Sequence, residues 1–301
     1  MFFMVLSMAG YLVNTPGGWI DRQLLDRAIT YIAYIMGLAK LTIVTIVLTG
    51  TMTLDGVQDL LGFATVTEDI GSGLIRLQFP SDIVILFLVP CYIGGRSRMA
   101  DMLVIISLAF VIYLSFSRFL FVGFGIAIFI RSFVLRRFDF ASLLVSFLAV
   151  AFILILWESF ISRFSGEGSL ISDDIRREQI VNLSNAISDN ALIGRGLGAS
   201  LYSYIRDETQ KYSYEVQWYA MVVQLGFLGL TWFLFNVVLV VATNINIRRY
   251  GYGVAAVAAL WVISGFTNPF VTSLGSAFGF SLLMLRFPSR DNSNWPKLVA
   301  D

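Results

Sequence analysis

Long apolar runs separated by short charged junctions set the reading of this chain. Residues 28–50, 82–92, 102–114, 119–130, 141–157, 218–244, 254–264 and 271–285 are predicted as apolar helices. About 20 residues rising roughly 1.5 Å each cover the hydrocarbon core of a bilayer. Runs such as 141–157 and 232–242 carry no charge and no polar face to turn toward water. Residues 2–13 are apolar but short, with no basic residue before them and no small-residue cleavage site, which reads as a truncated or re-entrant first helix rather than a cleaved signal peptide. The breaker NTPGG follows at 14–18. The expected fold is therefore all-α: one integral membrane domain over residues 1–301, polytopic, with about 8–9 transmembrane helices. A smaller loop is expected at 51–80 and a large polar one at 158–216. Within the first, LDGVQDLLGF has the pattern of an amphipathic helix lying at the membrane interface.

Composition sharpens this picture. With 57% hydrophobic and 14% charged residues, the chain is too apolar for a soluble domain of its length. The 21 basic and 20 acidic residues balance, which leaves no nucleic-acid footprint, but they are sorted along the chain. Arg22/Arg27, Arg96/Arg98, Arg131/Arg136/Arg137, Arg248/Arg249 and the tail (Arg286, Arg290, Lys297) fall on alternate junctions, as the positive-inside rule requires of a cytoplasmic face. The loop at 51–80, the SFSR junction at 115–118, the loop at 158–216 and the turn at Asn268 are then extracytoplasmic. A single cysteine, Cys91, excludes a disulfide framework or thiolate metal site, and the absence of histidine removes the commonest metal ligand and general base. The chemistry expected uses carboxylates, arginines and hydroxyls, with no metal and no cofactor.

Several residues stand out against that background. Lys40 lies inside an apolar run, where insertion costs roughly 3 kcal/mol, so it either pairs internally or holds a lipid phosphate. The large loop keeps Arg163, Arg176, Arg177, Arg195 and Arg206 against the insertion rule, and a guanidinium fork binds phosphate where lysine offers only a point charge. Arg118 stands alone between two apolar helices, either as a snorkelling anchor or, with Ser115 and Ser117 beside it, as a phosphate site. Arg195 sits in GRGLG (194–198), which reads as a tight turn or a backbone anion nest. Asp173-Asp174 superficially suggests a metal motif, but with no other ligands nearby it is read as solvated or as a partner of Arg176/Arg177.

Arg176, Ile180, Asn190-Ala191-Leu192-Ile193-Gly194, Arg195-Gly196-Leu197-Gly198, Tyr214-Glu215 and Gly226-Phe227-Leu228-Gly229-Leu230 together resemble the signature of the bacterial O-antigen polymerase and ligase superfamily. In that family an arginine precedes a helix and a P-L-L-G-x-G-x-G turn, and a polar catalytic residue then opens a helix reading G-L-L-G-L. Ser117-Arg118 is similar to the family's S-R-G/A junction, with Phe119 where a small residue is usual. The resemblance covers residues 115–230. Ile180 stands where tryptophan is frequent and Ala191 where proline is frequent. Glu215 stands where lipopolysaccharide ligases carry histidine, which favours a polymerase.

The resemblance implies a multi-pass protein of the bacterial cytoplasmic (inner) membrane with its active site on the periplasmic or extracytoplasmic face. It implies a polysaccharide (O-antigen, capsule or exopolysaccharide) polymerase acting on an undecaprenyl-pyrophosphate-linked oligosaccharide within the lipid bilayer, with a chain-length regulator as a further partner. Arg118 and Arg176 would stabilise the departing diphosphate and Glu215 would accept the proton of the attacking sugar hydroxyl. Arg76, Arg163, Arg177, Arg195 and Tyr214 are the further candidates for holding substrate. Two rival expectations are an O-antigen ligase that uses lipid A core or another acceptor, and a flippase of lipid-linked oligosaccharide with no bond chemistry.

Overall fold

The computed structural model describes residues 22–61, 66–71, 74–92, 98–134, 167–201, 204–205, 214–245, 247–267 and 270–286, with scattered positions between 4 and 11. The expected helix at 141–157, together with Arg163 and Arg206, lies outside the described residues. What is described is mostly helical, as long apolar runs demand. Among the described residues, two helices are long and apolar enough to cross a membrane: 25 residues of α1 (Arg22–Leu48), from Leu24 to Leu48, and all 28 of α7 (Gln217–Asn244).

Between them in sequence come α2 (Leu54–Leu61), a hairpin of β1 (Val66–Gly71) and β2 (Leu74–Gln78), and a 3₁₀ turn (Pro80–Val84) that continues into α3 (Ile85–Cys91). Next are α4 (Arg98–Ser115), α5 (Arg118–Phe129) and α6 (Glu167–Asp189). After α7, α8 (Ile247–Thr267) and α9 (Leu274–Arg286) complete the described chain. The expected amphipathic helix in LDGVQDLLGF is α2. The hairpin was not expected; its strands pair antiparallel with Glu68 opposite Arg76 and a bulge between Asp69 and Gly71. Likewise, the segment read as a polar loop at 158–216 contains the 23-residue helix α6.

The shortest apolar helix is the most enclosed. Every residue from Ile83 to Tyr92 is buried, and the segment packs against α5 and α9. At 1.5 Å per residue, Pro80–Cys91 spans about 18 Å, less than a hydrocarbon core, so its burial comes from neighbouring helices. An aromatic chain runs through this core: Trp218 meets Trp261 at 5.7 Å, Trp261 meets Phe280 at 5.2 Å and Phe280 meets Phe87 at 5.2 Å, mostly edge to face. Both indoles are satisfied, Trp218 Nε1 donating to the Val262 carbonyl at 2.7 Å and Trp261 Nε1 to that of Val271 at 3.0 Å.

Lys40 pairs internally. Its ammonium is fully buried and donates to Asp82 Oδ2 at 2.7 Å, to the Leu77 carbonyl at 2.7 Å and to the Val111 carbonyl at 3.1 Å. All three donors of the lysine are thus used to join α1 to the hairpin, the 3₁₀ turn and α4, and the phosphate-holding expectation for Lys40 is corrected.

Tertiary contacts join three of the segments that the basic-residue pattern is expected to place on one face. Arg76 Nε of the hairpin donates to the Ser115 carbonyl at 3.3 Å, and Arg118 bonds Asp173 of the 158–216 segment at 2.7 Å. Gln217 at the start of α7 bonds the Thr272 hydroxyl and the backbone N–H of Val271. At the opposite helix ends, Arg286 bonds Asp26 at 2.7 Å, and Arg131 donates to the carbonyls of Val89 and Tyr92 at the end of α3.

Candidate functional site

The SFSR junction is a sharp turn between α4 and α5. Phe116 adopts φ 43°, a left-handed conformation that costs an aromatic residue about 1–3 kcal/mol. Burial of its ring against Tyr113 and Phe121 offsets that cost. The turn delivers Arg118 as the first residue of α5. The Ser115 hydroxyl donates back to the Ile112 carbonyl at 2.6 Å, so its proton is committed to its own helix.

Helix α6 supplies the facing groups. Gln179, Leu183 and Ala186 recur at helical spacing and are buried, Leu183 and Ala186 packing with Val216, Ala220 and Val223 at the start of α7. Arg176 lies on the same stripe one turn earlier, where the apolar contact gives way to charge. Its Nε donates to Glu215 Oε2 at 2.9 Å and its Nη1 to Asp173 Oδ1 at 2.9 Å. Arg118 Nη2 donates to that same oxygen at 2.7 Å, and its Nη1 reaches Oδ2 at 3.4 Å. Three residues singled out for chemistry, Arg118, Arg176 and Glu215, therefore form one ion-paired cluster joined by Asp173.

Asp173 is the most exposed member, at 53% of its side chain against 20–28% for the other three. The Arg118 guanidinium that bonds it holds its carboxyl below the usual carboxylate range. A carboxylate shared by two guanidiniums occupies the position a phosphate oxygen would take. From the other side, Gln179 Oε1 accepts the Glu215 backbone N–H at 2.9 Å, so α6 grips Glu215 by both side chain and main chain. The sequence reading missed Gln179 and assigned Asp173 no role beyond solvation or pairing. The available signal was spacing: Asp173, Arg176 and Gln179 are three residues apart and share a helix face.

The remaining candidates are placed differently. Arg76 bonds Gln78 at 2.8 Å and the Ser115 carbonyl, three residues before Arg118. Arg177 is exposed and, as the next residue on the helix, points about 100° away from Arg176. Tyr214 is buried, its hydroxyl accepting from the Leu201 N–H at 2.9 Å and donating to the Tyr204 carbonyl at 3.4 Å, and burial pushes its phenol up. Its polar atom thus links Leu201 to Tyr204. Arg195 pairs with Asp189 at 2.7 Å at the far end of α6, about 20 Å from Arg176 along the helix, too far for one diphosphate to bond both. Arg163 lies outside the described residues.

The GRGLG segment docks into a break in α7. Gly226, at φ 68° and ψ 176°, interrupts the helix, which frees carbonyls before it and amides after it. Arg195 and Gly196 donate their N–H groups to the Val223 and Gln224 carbonyls at 2.8 and 2.9 Å. Phe227 and Leu228 donate theirs to the Ala191 and Leu192 carbonyls at 2.8 and 3.2 Å. A Cβ at Gly226 would overlap the Leu192 carbonyl, and one at Gly194 would overlap the Gly226 amide. The amides of Arg195 and Gly196 are consumed by this docking, so the anion-nest reading is corrected to a structural turn. No protein-family model, curated protein or solved structure matches the chain.

Proposed function

We propose that the protein is a membrane glycosyltransferase that needs no metal and extends a polysaccharide at the extracytoplasmic face of the bacterial cytoplasmic membrane. It moves an undecaprenyl-pyrophosphate-linked glycan onto a lipid-linked repeat unit. The observation that carries this reading is the cluster itself: Arg118 and Arg176 bond one oxygen of Asp173 while Arg176 also holds Glu215. Contacts that join the 51–80, 115–118 and 158–216 segments, Arg76 to the Ser115 carbonyl and Arg118 to Asp173, support a single working face, and two of the described helices are fit to cross a bilayer.

In the proposed reaction the donor diphosphate displaces the Asp173 carboxylate from between the two guanidiniums. The acceptor hydroxyl oxygen attacks the anomeric carbon. The bond from that carbon to the diphosphate oxygen breaks, with its electron pair passing to the diphosphate, and the hydroxyl proton passes to Glu215. Configuration at the anomeric carbon inverts. Arg118 and Arg176 stabilise the departing charge, and preorganised donors of this kind each contribute about 10²–10³ in rate.

Purified protein in detergent, supplied with lipid-pyrophosphate-linked repeat units, should build a ladder of chain lengths that Glu215→Gln abolishes. Transfer of one glycan to lipid A core without a ladder would establish a ligase instead. Elongation in detergent, with no second compartment present, would exclude a pure flippase.

A further inference from the structure

The turn that repairs the break in α7 carries an apolar tip facing outward. Leu192, Ile193 and Leu197 are 65%, 79% and 82% exposed, and Phe227 and Leu228, whose amides bond this turn, are exposed too. Three large aliphatic side chains presented together at the exposed tip of a turn otherwise bonded to α7 form an apolar patch of the kind that marks a contact surface.

Three observations identify that environment as lipid. First, Phe227–Asn244, the part of α7 beyond the break, has about 18 residues and a length of about 27 Å, close to the thickness of a hydrocarbon core, whereas Gln217–Leu225 extends beyond it. Second, the backbone groups bared at Gly226 are bonded by protein N–H and C=O groups rather than left to solvent, as non-helical backbone at membrane depth requires. Third, the exposed tip is continuous with the outward face of α7, where Trp232 is also 67% exposed.

We propose that the turn over residues 191–197 dips into the boundary of the bilayer at the level of Gly226, its aliphatic side chains contacting lipid acyl chains. A segment that belongs by sequence to the polar loop is thereby a lipid-contacting surface, and it anchors the C-terminal end of α6 to the membrane. The insertion is independent of the reaction proposed above.

The test uses Ile193→Cys and Leu197→Cys in a Cys91→Ala background, labelled with a nitrobenzoxadiazole fluorophore and reconstituted in phosphatidylcholine/phosphatidylglycerol vesicles. Asp174→Cys, on the exposed face of α6, is the aqueous reference. The expected result is a ratio of quenching by acyl-chain nitroxide to quenching by aqueous iodide that is several-fold higher at both turn positions than at position 174. A ratio at or below the reference at either position overturns the proposal. Both side chains are exposed, so neither replacement opens a cavity. Unsubstituted protein should take up no label, because Cys91 is buried.

Discussion

Arg118 and Arg176 donate to one and the same oxygen, Oδ1 of Asp173, at 2.7 and 2.9 Å. One guanidinium comes from the turn between two apolar helices and the other from a polar helix 58 positions later, and the shared carboxylate sets their spacing. In the proposed reaction, Asp173 is the internal anion that a diphosphate would displace.

Asp173→Asn should leave elongation intact and tighten the binding of inorganic pyrophosphate, because the competing charge is gone. Titration calorimetry on detergent-solubilised protein would measure this, and weaker binding would show that Asp173 helps to hold the ligand. The same residue gives a pH signature. Its folded carboxyl lies below the usual range, so the stability it contributes is full above the unfolded value of about 3.9 and is lost as pH falls through the lower folded value. At 53% exposure the contribution is at most about 1 kcal/mol. Thermal unfolding of wild-type protein should therefore fall slightly faster than that of Asp173→Asn below about pH 4.

Glu215→Gln should lower the elongation rate by about 10²–10⁴. Its fold should persist, because the main-chain bond to Gln179 does not depend on the carboxylate. Arg176→Lys should cost about 10²–10³, because an ammonium cannot reproduce the guanidinium fork that bonds Asp173 and Glu215 together. Rates per folded molecule, with folding checked by size-exclusion profile, separate these effects from simple destabilisation.

Gly226→Ala should destabilise the protein by more than the about 1–3 kcal/mol of a strained backbone, since the new methyl would also collide with the Leu192 carbonyl. Gly196→Ala should cost less: its φ of 99° is strained, but no atom lies near an added Cβ. Midpoints of thermal unfolding in micelles give the comparison, and equal midpoints would remove the docking of the turn from the account.

Lys40→Met should cost about 3–5 kcal/mol by stranding a buried carboxylate at Asp82, and Lys40→Met/Asp82→Leu should recover most of the loss. If the pair is structural, elongation per folded molecule stays at wild-type level in the double variant. A selective loss of activity at preserved stability would give the pair a working role.

Part of the site was legible in one dimension because its chemistry is local. Arg118 between two apolar helices, Arg176 ahead of the glycine-punctuated turn and Glu215 opening α7 are each conspicuous for what surrounds them. Gly194 and Gly226 were likewise visible as motif positions, though not as the two sides of one joint. The helix α6 was obscured because only a narrow stripe of it is apolar; Ile180, Leu183 and Ile187 carry a helical period that a predominantly charged segment hides.

By itself, the sequence determined that the chain is helical and rich in apolar runs; it led to an expectation of about 8–9 membrane spans, and among the described residues two helices are long and apolar enough to cross. These follow from hydrophobicity and periodicity, which are properties of a residue and its near neighbours. Tertiary structure alone decided which carboxylate joins Arg118 to Arg176, that Arg195 lies at the far end of α6, that Tyr214 is buried, and that Lys40 meets Asp82. Ion pairs between remote segments depend on helix phase and packing distance, and a linear pattern holds neither; many acidic residues were available to Arg118, and only the fold brought Asp173 to it.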